Sequence, residues 1–246
     1  MKSKLMKNRI IILLVTTIFF IIFWILTNLF KFEAIKIIGI DASLPMFNGD
    51  SGAYTSVMAY NVIYIIPFVF FLYNLFLKEK DIIVVRNKTR KALFVKRTKQ
   101  LVISSFLFSL LYILVNSFFM LWPFDIDFLI KRHFFTYSML HMIIIILHFI
   151  FVGLVFFIFH DLLKSSGQAV LLTEVFFALP YFLRKIGLIS FRIPAENLTI
   201  LSKLLYGYMD VSRTLLYYTS ELAIIILLYG IGVLVYERKN FYSVKK

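Results

Sequence analysis

Four histidines, one glutamate inside an apolar run and the absence of cysteine bound the chemistry open to this 246-residue chain. His141 and His148 are seven residues apart, which places both on one face of a helix, two turns or roughly 10 Å apart along its axis. One ion cannot be held by that pair alone, and no HExxH pattern is present. Two readings of the pair stay open: hydrogen bonding between helices, or a proton- or ligand-handling role. Glu174 lies six residues into the apolar run that begins at Gln168. It either snorkels toward the interface beside Lys164 or lines a polar pathway. Asp161, directly after His160, reads as a helix-end group.

Nothing else in the sequence assembles a reaction centre. Without cysteine there is no disulfide framework and no thiolate metal site. GxSxG, zinc-ligand spacing and GxxxxGK[ST] are missing too, so we expect no catalytic residue, no metal site and no bound cofactor.

The elements that must carry these residues are helices in a membrane. Hydrophobic residues make up 61% of the chain and charged ones 16%, with mean hydropathy +0.89. A soluble surface needs about 25% charged residues. A spanning helix needs about 20 mostly apolar residues, and six stretches approach this: 10–30, 57–77, 101–122, 137–160, 168–183 and 215–236. None has the alternating pattern of a barrel strand. The first is longer than a signal-peptide core and is followed by Lys31-Phe32-Glu33 rather than a small-residue cleavage site, so it reads as a retained helix. We expect an all-α integral membrane protein, residues 1–246 forming one six-helix domain.

Orientation follows from Lys and Arg. With both termini in the cytoplasm, 18 of the 27 basic residues fall inside: four before Ile10, nine from Lys78 to Lys99, Lys164, and four after Tyr236. The +14 net charge is set between apolar runs, so anionic lipid headgroups, not nucleic acid, are the expected counterpart.

Two connections stand out. On the outer side, Leu198, Ile200, Leu201, Leu204 and Leu205 recur at near-helical spacing, which predicts an interfacial or re-entrant helical segment before the sixth helix. On the cytoplasmic side, Ile82, Ile83, Val84, Val85 and Arg86 are followed, after a basic stretch, by Leu93 and Phe94. A soluble loop has no use for those apolar residues, whereas lipid anchoring or docking into a partner's groove does.

The layout of six helices, the IIVVRNKTRKALFVKRTK connection, the half-apolar outer segment and the tail Tyr236-Glu237-Arg238-Lys239-Asn240-Phe241 resembles small ABC-2-type permeases, the membrane subunits of bacterial ATP-binding-cassette exporters. The resemblance implies a plasma-membrane subunit that moves peptide-like or amphipathic cargo. It implies two partners: a separate ATPase holding ATP and magnesium, and a second permease. Ile82–Lys99 would contain the coupling helix. Only nine residues precede Ile10, fewer than many relatives carry. A stand-alone immunity or scaffold protein, and a proton-coupled carrier or intramembrane enzyme using His141, His148 and Glu174, are the alternatives.

Overall fold

The computed structural model describes residues 2–49, 52–77, 90–163, 165–190 and 193–238, and every regular element among them is helical. In chain order these are α1 (Lys2–Asn28), α2 (Phe32–Ile38), α3 (Ile40–Phe47), α4 (Ile65–Leu72), α5 (Arg90–Met120), α6 (Ile126–Lys131), α7 (Phe134–Leu162), α8 (Ser166–Lys185), α9 (Ile200–Leu205) and α10 (Val211–Arg238). Five of them, α1, α5, α7, α8 and α10, are long and apolar enough to cross a membrane. By length and composition this is a multi-pass, membrane-embedded helical protein.

Helix α7 is the hub. It is apolar all round, and such a helix must be enclosed by protein or lipid. Here α5, α8 and α10 pack on it and bury most of its length. Helix α5 runs antiparallel to α7, with Leu101 against Gly153 and Phe108 against Phe149. A Cβ at Gly153 would fall 2.1 Å from Leu101 Cδ1, so only glycine permits this approach without moving Leu101. Helix α1 joins through Phe20 and Trp24 but otherwise presents Ile11, Val15, Ile18, Ile22 and Leu26 outward, a face suited to lipid.

The stretch 57–77 is helical but uneven. A π-helical turn at Ala59–Ile63 precedes α4, and another, Tyr73–Leu77, follows it. Pro67 has no amide hydrogen to offer the carbonyl of Ile63, four residues earlier. The Tyr64 amide instead donates five residues back, to Ala59, at 2.8 Å. The adjustment points Tyr60 and Tyr64 into the core.

Two expectations are revised. The third apolar stretch, taken to begin at residue 101, belongs to a helix that starts at Arg90; its first three turns are basic but carry Phe94 and Arg97 inward. The segment after α8 is not one amphipathic helix with a single buried face. It is a 3-10 turn, Pro194–Thr199, followed by the short α9, and Ile193, Ala195, Leu198, Ile200, Leu201 and Leu204 are all buried. Packing against both α7 and α3 covers more than one face of the segment. Gly187 and Gly207, at φ 77° and 73°, end α8 and α9 in the left-handed conformation that side chains avoid.

Candidate functional site

The bundle has a basic end, where α5 begins and α7 and α10 finish, and a loop end, where α2, α3, α6 and α9 gather. Polar side chains collect at three levels between them.

Near the loop end, Trp24 Nε1 donates to Asn116 Oδ1 at 3.1 Å, and Asn116 Nδ2 donates to Asn48 Oδ1 at 3.1 Å. Asn48 Nδ2 in turn donates to the Leu44 carbonyl at 2.9 Å. This ladder ties α1, α5 and α3 together, and all three side chains are buried. Each satisfies a polar group that would be costly to leave bare in an apolar interior.

The middle level is built from Tyr54, Tyr60, Tyr64 and Tyr112, none of them solvent-exposed, with His141 and His148 from α7. Tyr60 donates to the Tyr112 hydroxyl at 2.6 Å; Tyr64 donates to the Tyr54 carbonyl at 2.8 Å. His141 Nε2 lies 2.9 Å from the Leu198 carbonyl and 3.4 Å from the Tyr60 hydroxyl. A carbonyl can only accept, so Nε2 carries the proton in the neutral ring. That fixes the tautomer and leaves His141 Nδ1 as an acceptor with no hydrogen-bond partner.

The two histidines thus do different things. His141 clasps the 3-10 turn to α7. His148, one side of whose ring meets Tyr60 and another Phe177, has no partner at hydrogen-bonding geometry on either nitrogen, although the Tyr60 backbone faces it. Ser104, Ser105 and Ser109 of α5 and Ser138 of α7 are also buried with unpartnered hydroxyls. Buried polar groups are ordinarily satisfied, by water where no protein group serves. Among the described residues no group of three or more His, Asp or Glu converges as metal ligands.

Glu174 does not join His141 and His148 in one cluster of contacts. It is half-buried near the middle of α8, and its Oε2 is enclosed without a partner. Counted from Ser165, whose hydroxyl caps α8 by accepting from the Gln168 amide, it stands about 13 Å along the axis at 1.5 Å per residue. That depth is beyond easy reach of the helix end.

At the basic end, Arg97 Nη1 contacts Asp161 Oδ1 at 2.9 Å and Oδ2 at 2.7 Å, and its guanidinium lies 4.0 Å from the Phe157 ring. Phe94 packs on Tyr229 and Tyr236 and against Gly232 of α10, and Arg90 donates to the Glu237 carbonyl. The expected docking residue Phe94 is therefore turned into the chain itself, 1% exposed. Leu93 is half-buried on the same turn. Ile82, Ile83, Val84, Val85 and Arg86 lie outside the described residues.

Sequence reasoning passed over the tyrosine cluster, the asparagine ladder and the Arg97–Asp161 pair. Asn116 had a signal, a lone amide in an apolar helix, and so did Tyr60 and Tyr64 at helical spacing. A second missed contact joins Asn197 to Glu221: Nδ2 donates to Oε1 at 3.0 Å, and both are buried where the 3-10 turn meets α10.

Two crevices flank that turn. One of about 320 Å³ lies between α8 and Ile193–Ala195, and one of about 300 Å³ between Ile193–Asn197 and α10. Comparison of the chain with protein-family models, curated proteins and solved structures gave no match.

Proposed function

We propose that this chain is a permease subunit of an ABC-2-type exporter, driven by a separate ATP-binding-cassette ATPase. The observation that carries the reading is the way α5 begins. Its basic first turns are held to α7 by Arg97–Asp161 and to α10 by Phe94 and Arg90. A push on residues 78–89, which lead directly into Arg90, is thereby delivered to three long helices at once. A helix end locked this way is a lever, which suits a subunit moved by a separate engine.

In this reading 57–77 is the sixth span. Its 21 residues cover close to 30 Å at about 1.5 Å per residue, and its two π turns are tolerated because α1, α5, α7 and α8 pack on it. The basic end is cytoplasmic, since Lys and Arg concentrate there, and the membrane is a bacterial plasma membrane. The 3-10 turn and α9 then form a re-entrant segment dipping from the outer side to the level of His141. A second permease subunit completes the pathway, and ATP and magnesium reside on the ATPase.

The test is isolation of the tagged full-length chain in mild detergent from its own membranes. The reading expects an ATP-binding-cassette ATPase to co-elute, and Ile83→Asp with Val84→Asp to release it. An unchanged eluate without any ATPase sinks it.

A proton-coupled carrier is the second reading, favoured by one observation: a Tyr60–Tyr112 hydroxyl pair adjoining His141 in the bundle interior. Uptake or release of protons on cargo addition, lost in His141→Ala and Glu174→Gln, would select it over the first.

A further inference from the structure

We propose that the 320 Å³ crevice between α8 and Ile193–Ala195 binds an amphiphile taken sideways from the membrane: a hydrocarbon chain carrying a hydrogen-bond donor.

Its walls are Phe151 of α7, Val175, Phe176, Phe177, Leu179 and Pro180 of α8, and Ile193–Ala195. At roughly 30 Å³ per water- or methylene-sized group, that volume holds about ten such groups, a substantial length of chain. Val175, Phe176 and Leu179 are each about half exposed, and they continue the apolar outer face formed by Leu171, Leu172 and Phe182. The crevice therefore opens on the side that meets hydrocarbon, not water.

One acceptor breaks the apolar lining. Asn61 is 98% buried, being 2% exposed, and lines the crevice. Its Nδ2 is committed to the Val57 carbonyl at 2.8 Å, while its Oδ1 has no hydrogen-bond partner among the described residues. A pocket that presents an acceptor in an apolar wall selects a ligand that brings a donor, because a donor placed there in hydrocarbon has no water to compete for it.

Asn61 adjoins Tyr60, whose ring meets His148 midway along α7, so its acceptor lies deep in the bundle, where little water competes for a donor. The donor of the amphiphile meets Asn61 while its tail fills the space beside Phe151. Membrane lipids with a free hydroxyl and peptide-like amphiphiles with an amide N–H share this chemistry. The site needs no ATPase and stands apart from the permease reading.

The test titrates the purified full-length chain with three probes of equal chain length and follows bound states by native mass spectrometry. Oleyl alcohol supplies a hydroxyl donor, oleamide an amide donor, and oleyl methyl ether none. Wild type should bind the better of the two donors about fivefold more tightly than the ether, the size expected for one hydrogen bond; which donor wins identifies the source. Asn61→Leu should abolish that preference while keeping the ether's affinity. Val175→Trp, placed at the exposed mouth, should weaken all three about tenfold without repacking the core, and Ala195→Phe should do so from inside. Equal binding of donors and ether to wild type, or full binding to Val175→Trp, overturns the proposal.

Discussion

Arg97 and Asp161 pair across the basic end with both carboxylate oxygens within 2.9 Å of one guanidinium nitrogen, the arginine side chain 11% and the aspartate 2% exposed. The carboxylate belongs to the last turn of α7 and the guanidinium to the third turn of α5. Their contact fixes how far α5 extends as helix beyond the apolar span. Removing one partner of a buried pair typically costs about 3–5 kcal/mol, because the other charge is left bare. Arg97→Ala should reduce the unfolding free energy of the detergent-solubilised protein by that order and lower its thermal midpoint accordingly. Arg97→Met with Asp161→Leu should recover most of it; a double variant no better than the single one would show that the pair is incidental.

Gly153 makes a sharper packing prediction. Leucine there meets Leu101 in a fully buried contact, and overpacking of this kind costs about 1–3 kcal/mol. Gly153→Leu should therefore destabilise the protein, and adding Leu101→Ala should relieve it. Additive losses in the pair would place the constraint elsewhere.

These two contacts show what the sequence made legible. Long apolar runs around Leu14, Phe108, Ile145 and Ile226 announced membrane helices because composition alone decides that. Helix pairing was not legible, since it depends on which small residue meets which branched one, and Gly153 looks like any other glycine in a run. Phe94 was read as a docking residue because an aromatic in a basic stretch has no evident use there. Gly232, far along the chain, supplies that use by leaving room for the ring. His141 and His148 were rightly placed on one helix face, but their unlike surroundings depend on Leu198 and Phe177, which no spacing rule connects to them.

His141 should matter more to the loop-end fold than His148. Its Nε2–H holds the Leu198 carbonyl, whereas His148 has no such bond. His141→Phe leaves that buried carbonyl without its donor, a loss of about 1–3 kcal/mol. Limited proteolysis should then cut faster around Pro194–Thr199, and His148→Phe should leave the pattern unchanged. The reverse order would mean the clasp has been misread.

Asp210 provides a pH signature outside the membrane. Its carboxylate accepts from the Arg213 backbone amide at 2.8 Å at the start of α10, and this bond holds its pKa below the usual aspartate value. A depressed folded-state pKa gives stability that is present above the unfolded value, about 3.9, and is lost as pH falls through the folded one. Unfolding followed from pH 6 to pH 3 should lose that contribution in wild type and show no such step in Asp210→Asn, which keeps the cap without the charge. Identical profiles would remove Asp210 from the pH response.

The most direct test of the permease reading uses the absence of cysteine. Ile83→Cys would carry the chain's sole thiol, in the segment that leads into α5. Treated with a short bifunctional thiol-to-amine crosslinker in native membranes, it should yield an adduct whose second component is an ATP-binding-cassette ATPase. Its yield should change when ATP is added, as the ATPase subunits close and the lever moves. An adduct-free chain, or one joined only to copies of itself whatever the nucleotide, would contradict the claim that this bundle is driven by a separate ATPase.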